Sequence, residues 1–227
     1  MRQTMKVQSG KITRPSYHHG DLANALTGAA LELARGGGPD AVVLREAARQ
    51  IGVSPTAAYR HFSNREDLIH AVKDCALLEL AGRMQQEVGR APAEGELVDQ
   101  LRERLLALGR GYIGFALENP GLFHTAFAHM TPIVAGPGAD RPAVDPMETP
   151  PFRMLVDLLD RLAEAGVIAA GRRPFLEFAA WATVHGMAQL LLDGPMRDMP
   201  ADLQQAAVAR ALDMVTDGII ACAPDGT

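Results

Sequence analysis

The chain has 227 residues and a net charge of −5, and its composition favours helix. It contains 37 alanines and 26 leucines, against 32 isoleucine, valine and threonine residues together. Because Ala and Leu lose little side-chain freedom in a helix, whereas β-branched residues favour strands, the sequence predicts an all-α protein.

The same sequence excludes several classes of protein. No apolar run approaches the length that crosses a bilayer, and no apolar leader opens the chain. The two cysteines, Cys75 and Cys222, are too few and too far apart for a disulfide scaffold or a metal site. We therefore expect a soluble, reduced, cytoplasmic protein that has no membrane contact and needs no metal or other cofactor.

Basic residues are concentrated in the first part of the chain. Residues 1–65 carry nine Lys or Arg and four acidic residues, a net +5, whereas the remaining 162 residues carry a net −10. This asymmetry favours nucleic acid or another anionic surface as a partner of the first quarter. A solubilising basic tail is the alternative.

The spacing of apolar residues predicts nine helices and no strand. They are expected over 18–35, 44–50, 55–62, 64–89, 97–119, 122–130, 152–166, 174–193 and 201–221. Residues 1–16 read as a flexible basic arm, and residues 131–151, with six prolines, as a mobile loop. Ser54 is placed to cap the helix that Pro55 begins, and Ser63 with Glu66 forms a capping-box sequence before the fourth helix.

The segment LREAARQIGVSPTAAYRHFSNREDL, residues 44–68, has the pattern of a helix-turn-helix. Ala48 permits a close helix crossing, and Gly52 tolerates the positive φ that a tight turn requires. Val53, Ala58 and Phe62 would then form a buried wedge. A helical hairpin inside a bundle is the alternative.

With the wedge facing inward, other side chains of the second helix point toward the major groove. Thr56 and Arg60 are placed to meet base edges. Tyr59, His61 and Arg65 flank them and suit phosphate oxygens. The pattern thus assigns base readout and phosphate binding to neighbouring positions.

At these residues the chain resembles a known family. GVSPTAAYRHFSNREDL resembles the DNA-binding signature of the TetR family of transcriptional regulators, and YHHGDLANALTGAALEL resembles the helix that precedes it. WATVHGMAQLLLDG, residues 181–194, is similar to the Trp-His-Gly (WHG) segment of one subgroup of TetR C-terminal domains. The resemblance implies a homodimer with a three-helix DNA-binding head, residues 17–65, and a six-helix ligand-binding and dimerisation body, residues 66–227.

The resemblance also implies roles for individual residues. Arg45 matches a base contact. The positions that match the recognition surface are Pro55, Thr56, Ala57 and Arg60, and those that match phosphate contacts are Tyr59, His61 and Arg65. Val43 departs from the family, which usually has Ser or Thr there, since valine can neither cap the helix nor bind phosphate. The expected DNA-binding residues are Arg45, Ser54, Pro55, Thr56, Ala57, Tyr59, Arg60, His61 and Arg65.

The body is expected to hold a largely apolar pocket, because six of the chain's 11 aromatic residues lie on helices that must converge there. A histidine, His185 or His124, would be its polar anchor. Ordinary core packing is the alternative for each residue. The expected ligand-binding residues are Tyr112, Phe115, Phe123, His124, Phe127, Phe152, Trp181 and His185.

The last two helices are expected to pair with a second copy as a four-helix bundle. The small residues Ala182, Gly186 and Ala188 would permit close approach in that bundle. The apolar stripe of the last helix would supply the rest of the interface, through Leu203, Ala207, Leu212, Val215 and Ile219.

Together these patterns predict a ligand-responsive, homodimeric DNA-binding regulator. Its expected partners are a double-stranded DNA operator, a small and largely apolar effector and a second copy of the chain, and it would associate with the nucleoid when bound. A repressor released by its effector is favoured over an activator. No common enzyme signature is present, so no catalytic residue is expected. A small all-α ligand-binding protein or enzyme with an incidental basic arm is the alternative.

Overall fold

The computed structural model describes residues 19–128 and 146–221. Nine α-helices lie in these two ranges, together with three short 3-10 turns and no strand, so the all-α prediction is confirmed. The predicted arm, residues 1–16, and residues 131–145 of the predicted loop lie outside the described residues. The helices are α1 His19–Gly37, α2 Leu44–Gln50, α3 Pro55–Ala58, α4 Arg65–Val88, α5 Leu97–Glu118, α6 Pro120–Phe127, α7 Pro150–Glu164, α8 Leu176–Leu192 and α9 Ala201–Ile220.

The first three helices form a compact unit around small side chains. α1 packs against α2 and, less extensively, against α3. Ala48 and Ala58 are fully buried, and Val53 and Phe62 pack half-buried against the same core. Gly52 adopts a φ of 71°, so the turn uses the backbone conformation that favours glycine.

The N-terminus of α4 is capped one residue later than the capping box predicts. The cap is Asn64, whose Oδ1 accepts from the Asp67 backbone N–H at 2.8 Å. The Asp67 carboxylate in turn accepts from the Ser63 backbone N–H at 3.2 Å. Asn and Ser are equally good N-caps, and here the acidic residue three positions after Asn64 completes the reciprocal pair.

α4 is the central helix, because it packs against α1, α5, α6 and α7. α4 and α5 approach so closely that a Cβ on Gly111 would lie 2.6 Å from the Met84 Cα. α6 rests directly on the end of α1, where a Cβ on Gly121 would overlap the carbonyl oxygens of Ala34 and Arg35. Both crossings therefore depend on the absence of a side chain.

The end of the predicted proline-rich loop is ordered helix instead. Pro146–Glu148 forms a 3-10 turn, and α7 begins at Pro150, with Pro151 next to it. Proline suits the first helical turn because its φ is already helical and its missing N–H would have no partner there.

The apolar stripe of α9 faces its own chain rather than open space, which corrects the predicted dimer face. Leu212 and Ile219 are 4% and 2% exposed, whereas Leu203 is 50% exposed. An amphipathic helix must bury its stripe, but α5 and α8 already cover it within the chain. Of the small residues on α8, Ala182 is exposed and Ala188 is fully buried.

Among the described helices, none combines the length and the apolar composition that a bilayer crossing requires.

Candidate nucleic-acid interface and ligand cavity

The turn between α2 and α3 fixes the position of α3. The Val53 backbone N–H donates to the Ala48 carbonyl at 3.0 Å, which closes the turn at Gly52. The Ser54 Oγ accepts from the Ala57 N–H at 3.2 Å, and Pro55 begins the helix, as predicted. Ser54 is therefore the helix cap, and its hydroxyl oxygen accepts while its O–H still has a hydrogen to donate.

One side of α3 is buried and the other is exposed. Ala58 is fully buried, whereas Pro55, Thr56 and Arg60 are exposed and Tyr59 is 45% exposed. The helical turn continues past α3, because the N–H groups of residues 59–62 donate to carbonyls three or four residues earlier. The exposed side chains consequently share one helical surface, which is the arrangement that major-groove readout needs.

Two cations of this region have no ion-pair partner among the described residues. Arg45 and Arg60 are both exposed, and neither forms a salt bridge within residues 19–128 and 146–221. Arg49, by contrast, pairs with Glu46 at 2.6 Å, which lowers the pKa of that carboxyl group. The positive charge presented to a partner is therefore smaller than the residue count implies.

Arg65 occupies a position different from the one expected of a phosphate contact. Its guanidinium donates to the carbonyl oxygens of Val42 at 2.9 Å and Pro39 at 2.6 Å. It thereby ties the 3-10 turn after α1 to the start of α4. His61 also departs from expectation, since it is half-buried and lines the cavity described below.

The departure at Val43 has the predicted structural consequence. Val43 is the N-cap residue of α2, supplies no side-chain hydrogen bond and is 44% exposed. The first turn of α2 therefore presents an apolar group beside the exposed Arg45.

A cavity of about 690 Å³ lies between α4, α5, α6, α7, α8 and α9. Its wall extends from Leu212, Thr216 and Ile219 on α9 to His61 and Phe62, which directly follow α3. The same cavity thus contacts both the last helix and the end of the helix-turn-helix.

The structure divides the predicted ligand-binding residues into two groups. Tyr112, Phe127, Phe152 and Trp181 line the cavity. Phe115, Phe123, His124 and His185 are not among its lining residues.

The second group occupies the core or the surface. Phe115 and Phe123 are 2% and 0% exposed, and the Phe123 ring packs edge-on against Tyr112. His124 lies on the outer side of α6, where its Nε2 is 2.8 Å from the Asp193 carboxylate. His124 therefore lies outside the cavity lining, and its partner is the exposed Asp193 carboxylate at the C-cap of α8.

Trp181, which lines the cavity, and His185, which does not, both contact the Tyr112 hydroxyl. The Trp181 indole N–H donates to the Tyr112 oxygen at 3.3 Å, and that oxygen lies 2.8 Å from the His185 Nδ1. Burial lowers the pKa of His185 and raises the pKa of Tyr112. Both groups are therefore neutral at pH 7, and the tautomer of His185 sets which of the two donates the hydrogen bond.

The sequence analysis missed the polar lining residues of α4. His70, Lys73 and Asp74 lie on the first half of α4 and line the cavity. Their spacing of three and four residues is the signal that could have found them, because it places side chains on one side of a helix. In the described ranges, no three His, Cys, Asp or Glu residues are placed to hold a metal ion.

Comparisons with known proteins agree with this geometry. Residues 26–72 match the family described as "Bacterial regulatory proteins, tetR family". Residues 105–215 match the family described as "Tetracyclin repressor-like, C-terminal domain". No curated protein sequence matches the chain.

Several solved structures have a similar fold. A protein of unknown function from Rhodococcus sp. RHA1 is 28% identical, with 91% of this chain and 100% of that chain covered and a TM-score of 0.69. A putative tetR family regulator from Shewanella sp. PV-4 is 18% identical, with 85% and 96% covered and a TM-score of 0.55. A TetR variant from Acinetobacter baumannii AYE, solved in complex with minocycline, is 22% identical, with 89% and 96% covered and a TM-score of 0.54.

The two family matches together span more than two thirds of the chain. The first match includes the helix-turn-helix, and the second includes most of the helices that line the cavity. The chain therefore carries an N-terminal helix-turn-helix domain of the TetR family, followed by a TetR-like C-terminal domain.

Proposed function

We propose that this protein is a homodimeric transcription regulator, a repressor that a small, largely apolar effector releases from its operator. The observation that carries the proposal is the extent of the cavity, which reaches from α9 to His61 and Phe62. The Phe62 N–H donates to the Ala58 carbonyl at 3.1 Å, so this part of the cavity wall is continuous with α3. A ligand in the cavity and DNA at α3 would therefore both act on the position of the same backbone segment, residues 58–62.

DNA recognition is assigned to the exposed side of α3 and the start of α2. Arg60 and Thr56 would contact base edges, and Tyr59 and Arg45 would contact phosphates or neighbouring bases. The exposure of all four side chains and the absence of ion-pair partners for both arginines among the described residues support this assignment.

Dimerisation is assigned to the outward side of α8 and α9, not to the stripe predicted from sequence. Leu190 and Met214 are 41% and 68% exposed, and a Cβ on Gly186 would meet no atom within 4 Å. Exposed apolar side chains beside an uncovered glycine suit close packing of a second copy. Double substitution Leu190→Glu with Met214→Glu should convert the dimer to a monomer in sedimentation measurements.

We divide the chain into a DNA-binding domain over residues 17–65 and a ligand-binding and dimerisation domain over residues 66–227. We also assign the second domain to the Trp-His-Gly subgroup. The support is that Trp181 and His185 both bind the same buried hydroxyl, which gives the motif a common structural role. Bound to DNA, the protein would associate with the nucleoid.

The proposed mechanism is a population shift. Effector in the cavity favours positions of α4 and of residues 61–62 in which the two recognition helices of the dimer no longer match successive major grooves, about 34–36 Å apart. Coupling of this kind is typically worth about 1–3 kcal/mol between the two ligands.

The test is footprinting and gel-shift binding on the DNA that flanks the protein's own coding region. We expect a protected site with two half-sites, bound in the presence of excess unrelated DNA. Arg60→Ala should raise the protein concentration needed for that protection, whereas Arg172→Ala, which removes an exposed arginine between α7 and α8, should leave it unchanged. Equal binding of flanking and unrelated DNA would contradict the proposal and favour the ligand-binding alternative.

A further inference from the structure

The polar lining of the cavity is concentrated at one place, the first half of α4. Further along the same helix the lining becomes apolar, with Leu77 and Met84. Four aromatic lining residues lie on α5, α6, α7 and α8, and a fifth, Phe62, follows α3. The cavity therefore has an apolar body and a polar end, and the polar end is formed by Asp67, His70, Lys73 and Asp74.

Lys73 is the cation of this polar end. Its side chain is half-buried, and its Nζ donates to the Ala128 carbonyl at 3.0 Å, at the C-cap of α6. No carboxylate of the described residues lies within ion-pair distance of it. Burial lowers the pKa of the Lys73 ammonium, which is the effect expected when a charge loses water without gaining an anion. An ammonium has three N–H donors, so two remain for a ligand.

The two carboxylates at the same end oppose an anion less than Lys73 attracts it. The Asp67 carboxylate lies in the first turn of α4, where the positive end of the helix dipole balances part of its charge and the Ser63 N–H donates to it. Asp74 is exposed, so water screens its charge. The half-buried Lys73 has no ion-pair partner among the described residues, so Lys73 determines the sign of the preferred ligand.

We propose that the cavity selects an amphiphilic organic acid, with its apolar body among the aromatic residues and its carboxylate bound to Lys73. His70 lines the cavity three residues earlier on the same side of α4, where it would face the second carboxylate oxygen. The cavity volume of about 690 Å³ is in the range that holds a single organic ligand of ordinary size. This inference rests on the proposed function in calling the ligand an effector, but the binding itself requires no DNA.

The experiment compares three probes that share one apolar chain: decanoate, decanol and decylamine. Binding to the full-length protein is measured at pH 7 by calorimetry and by Trp181 fluorescence. We expect decanoate to bind at least about tenfold more tightly than decanol, and decylamine more weakly than both. Lys73→Met should remove the preference for decanoate while leaving the affinity for decanol within about threefold of wild type. An unchanged decanol affinity also shows that the variant retains the cavity.

Arg172→Met is the matched control, because it removes an exposed positive charge that does not line the cavity. It should leave decanoate binding within about threefold of wild type. A wild-type preference for decylamine, equal binding of all three probes, or no binding of any of them would overturn the inference. So would a preference for decanoate that survives Lys73→Met.

The two proposals fail in different ways. Failure of the proposed function is loss of specific binding to flanking DNA, which leaves the probe measurements unaffected. If the protein binds that DNA and an unrelated compound releases it, while decanoate shows no Lys73-dependent preference, only the present inference fails.

Discussion

The exposed side of α3 and the cavity differ in how many elements build them. The α3 surface comes from one short helix, and its exposed side chains bear almost no tertiary contacts. The cavity is lined by side chains from α4 to α9, and several of these, such as Leu212 and Tyr112, also belong to the buried core. Substitutions at α3 should therefore change DNA binding alone, whereas substitutions at the cavity change both ligand binding and stability.

The largest expected contrast between the two regions is in their response to salt. Operator affinity should fall by about 10³–10⁵ between about 50 and 200 mM salt if the dimer makes about 6–10 phosphate contacts. Binding of neutral decanol in the cavity should be insensitive to the same change, because no charge is neutralised. Titrations of both ligands over one salt series measure this, and a flat response of DNA binding would remove the electrostatic account of the α3 surface.

Substitutions of two phenylalanines of α6 should distinguish a residue of the core from a residue of the cavity wall. Phe123 is fully buried, whereas Phe127 is half-buried and lines the cavity. Phe123→Ala should lower the free energy of unfolding by about 3–5 kcal/mol, and Phe127→Ala by no more than about 2 kcal/mol. Denaturant unfolding gives both values. Phe127→Ala should in addition reduce the response to effector while leaving operator affinity without effector unchanged; equal destabilisation by the two variants would contradict this division.

Two arginines near α3 should have different effects despite their similar position in sequence. Arg60→Ala should weaken operator binding by about 1–3 kcal/mol and relax specificity at one position of each half-site, without changing the unfolding temperature. Arg65→Ala should lower stability by about 1 kcal/mol, because Arg65 donates to Pro39 and Val42 across a partly exposed contact. It should weaken binding to all DNA sequences alike. An altered preferred site for Arg65→Ala, with none for Arg60→Ala, would reverse the assignment.

The smallest expected effect is a pH dependence of stability from His185. Burial lowers the pKa of His185 in the folded chain, so the unfolded chain takes up a proton first, at about pH 6.5. Stability should therefore decrease as the pH falls from about 6.5 to the folded-state pKa, by at most about 1.4 kcal/mol per pH unit. His185→Asn should reduce this decrease in thermal unfolding curves recorded across that range. A wild-type stability that stays constant or rises on acidification would contradict it.

Features decided by a few neighbouring residues were predictable from the sequence. The positive φ of Gly52 and the cap at Ser54 depend on a turn of fewer than ten residues. The helices were likewise predictable because their apolar spacing is periodic, although adjacent good caps such as Ser63 and Asn64 left the start of α4 uncertain by one residue.

Features decided by distant partners were not predictable from one sequence. The charge of Arg65 is visible in the sequence, but its carbonyl partners lie 23 and 26 residues earlier. The stripe of α9 predicts that a surface is buried, but not whether α5 and α8 or a second copy covers it. For the same reason the sequence could not show that Phe127 lines the cavity and His124 does not, since the Asp193 that binds His124 is 69 residues away.

The contact at Gly121 sets a condition for building hybrid regulators. Because α6 rests on the last carbonyls of α1, a recognition module transplanted from a relative must end its first helix at the same height and angle. In a donor protein that has a side chain at the position of Gly121, the first helix must lie farther from α6. The DNA-binding module of such a donor would not fit against the α6 of this chain. Compatible donors can therefore be chosen by inspecting one position, before their DNA preference is considered.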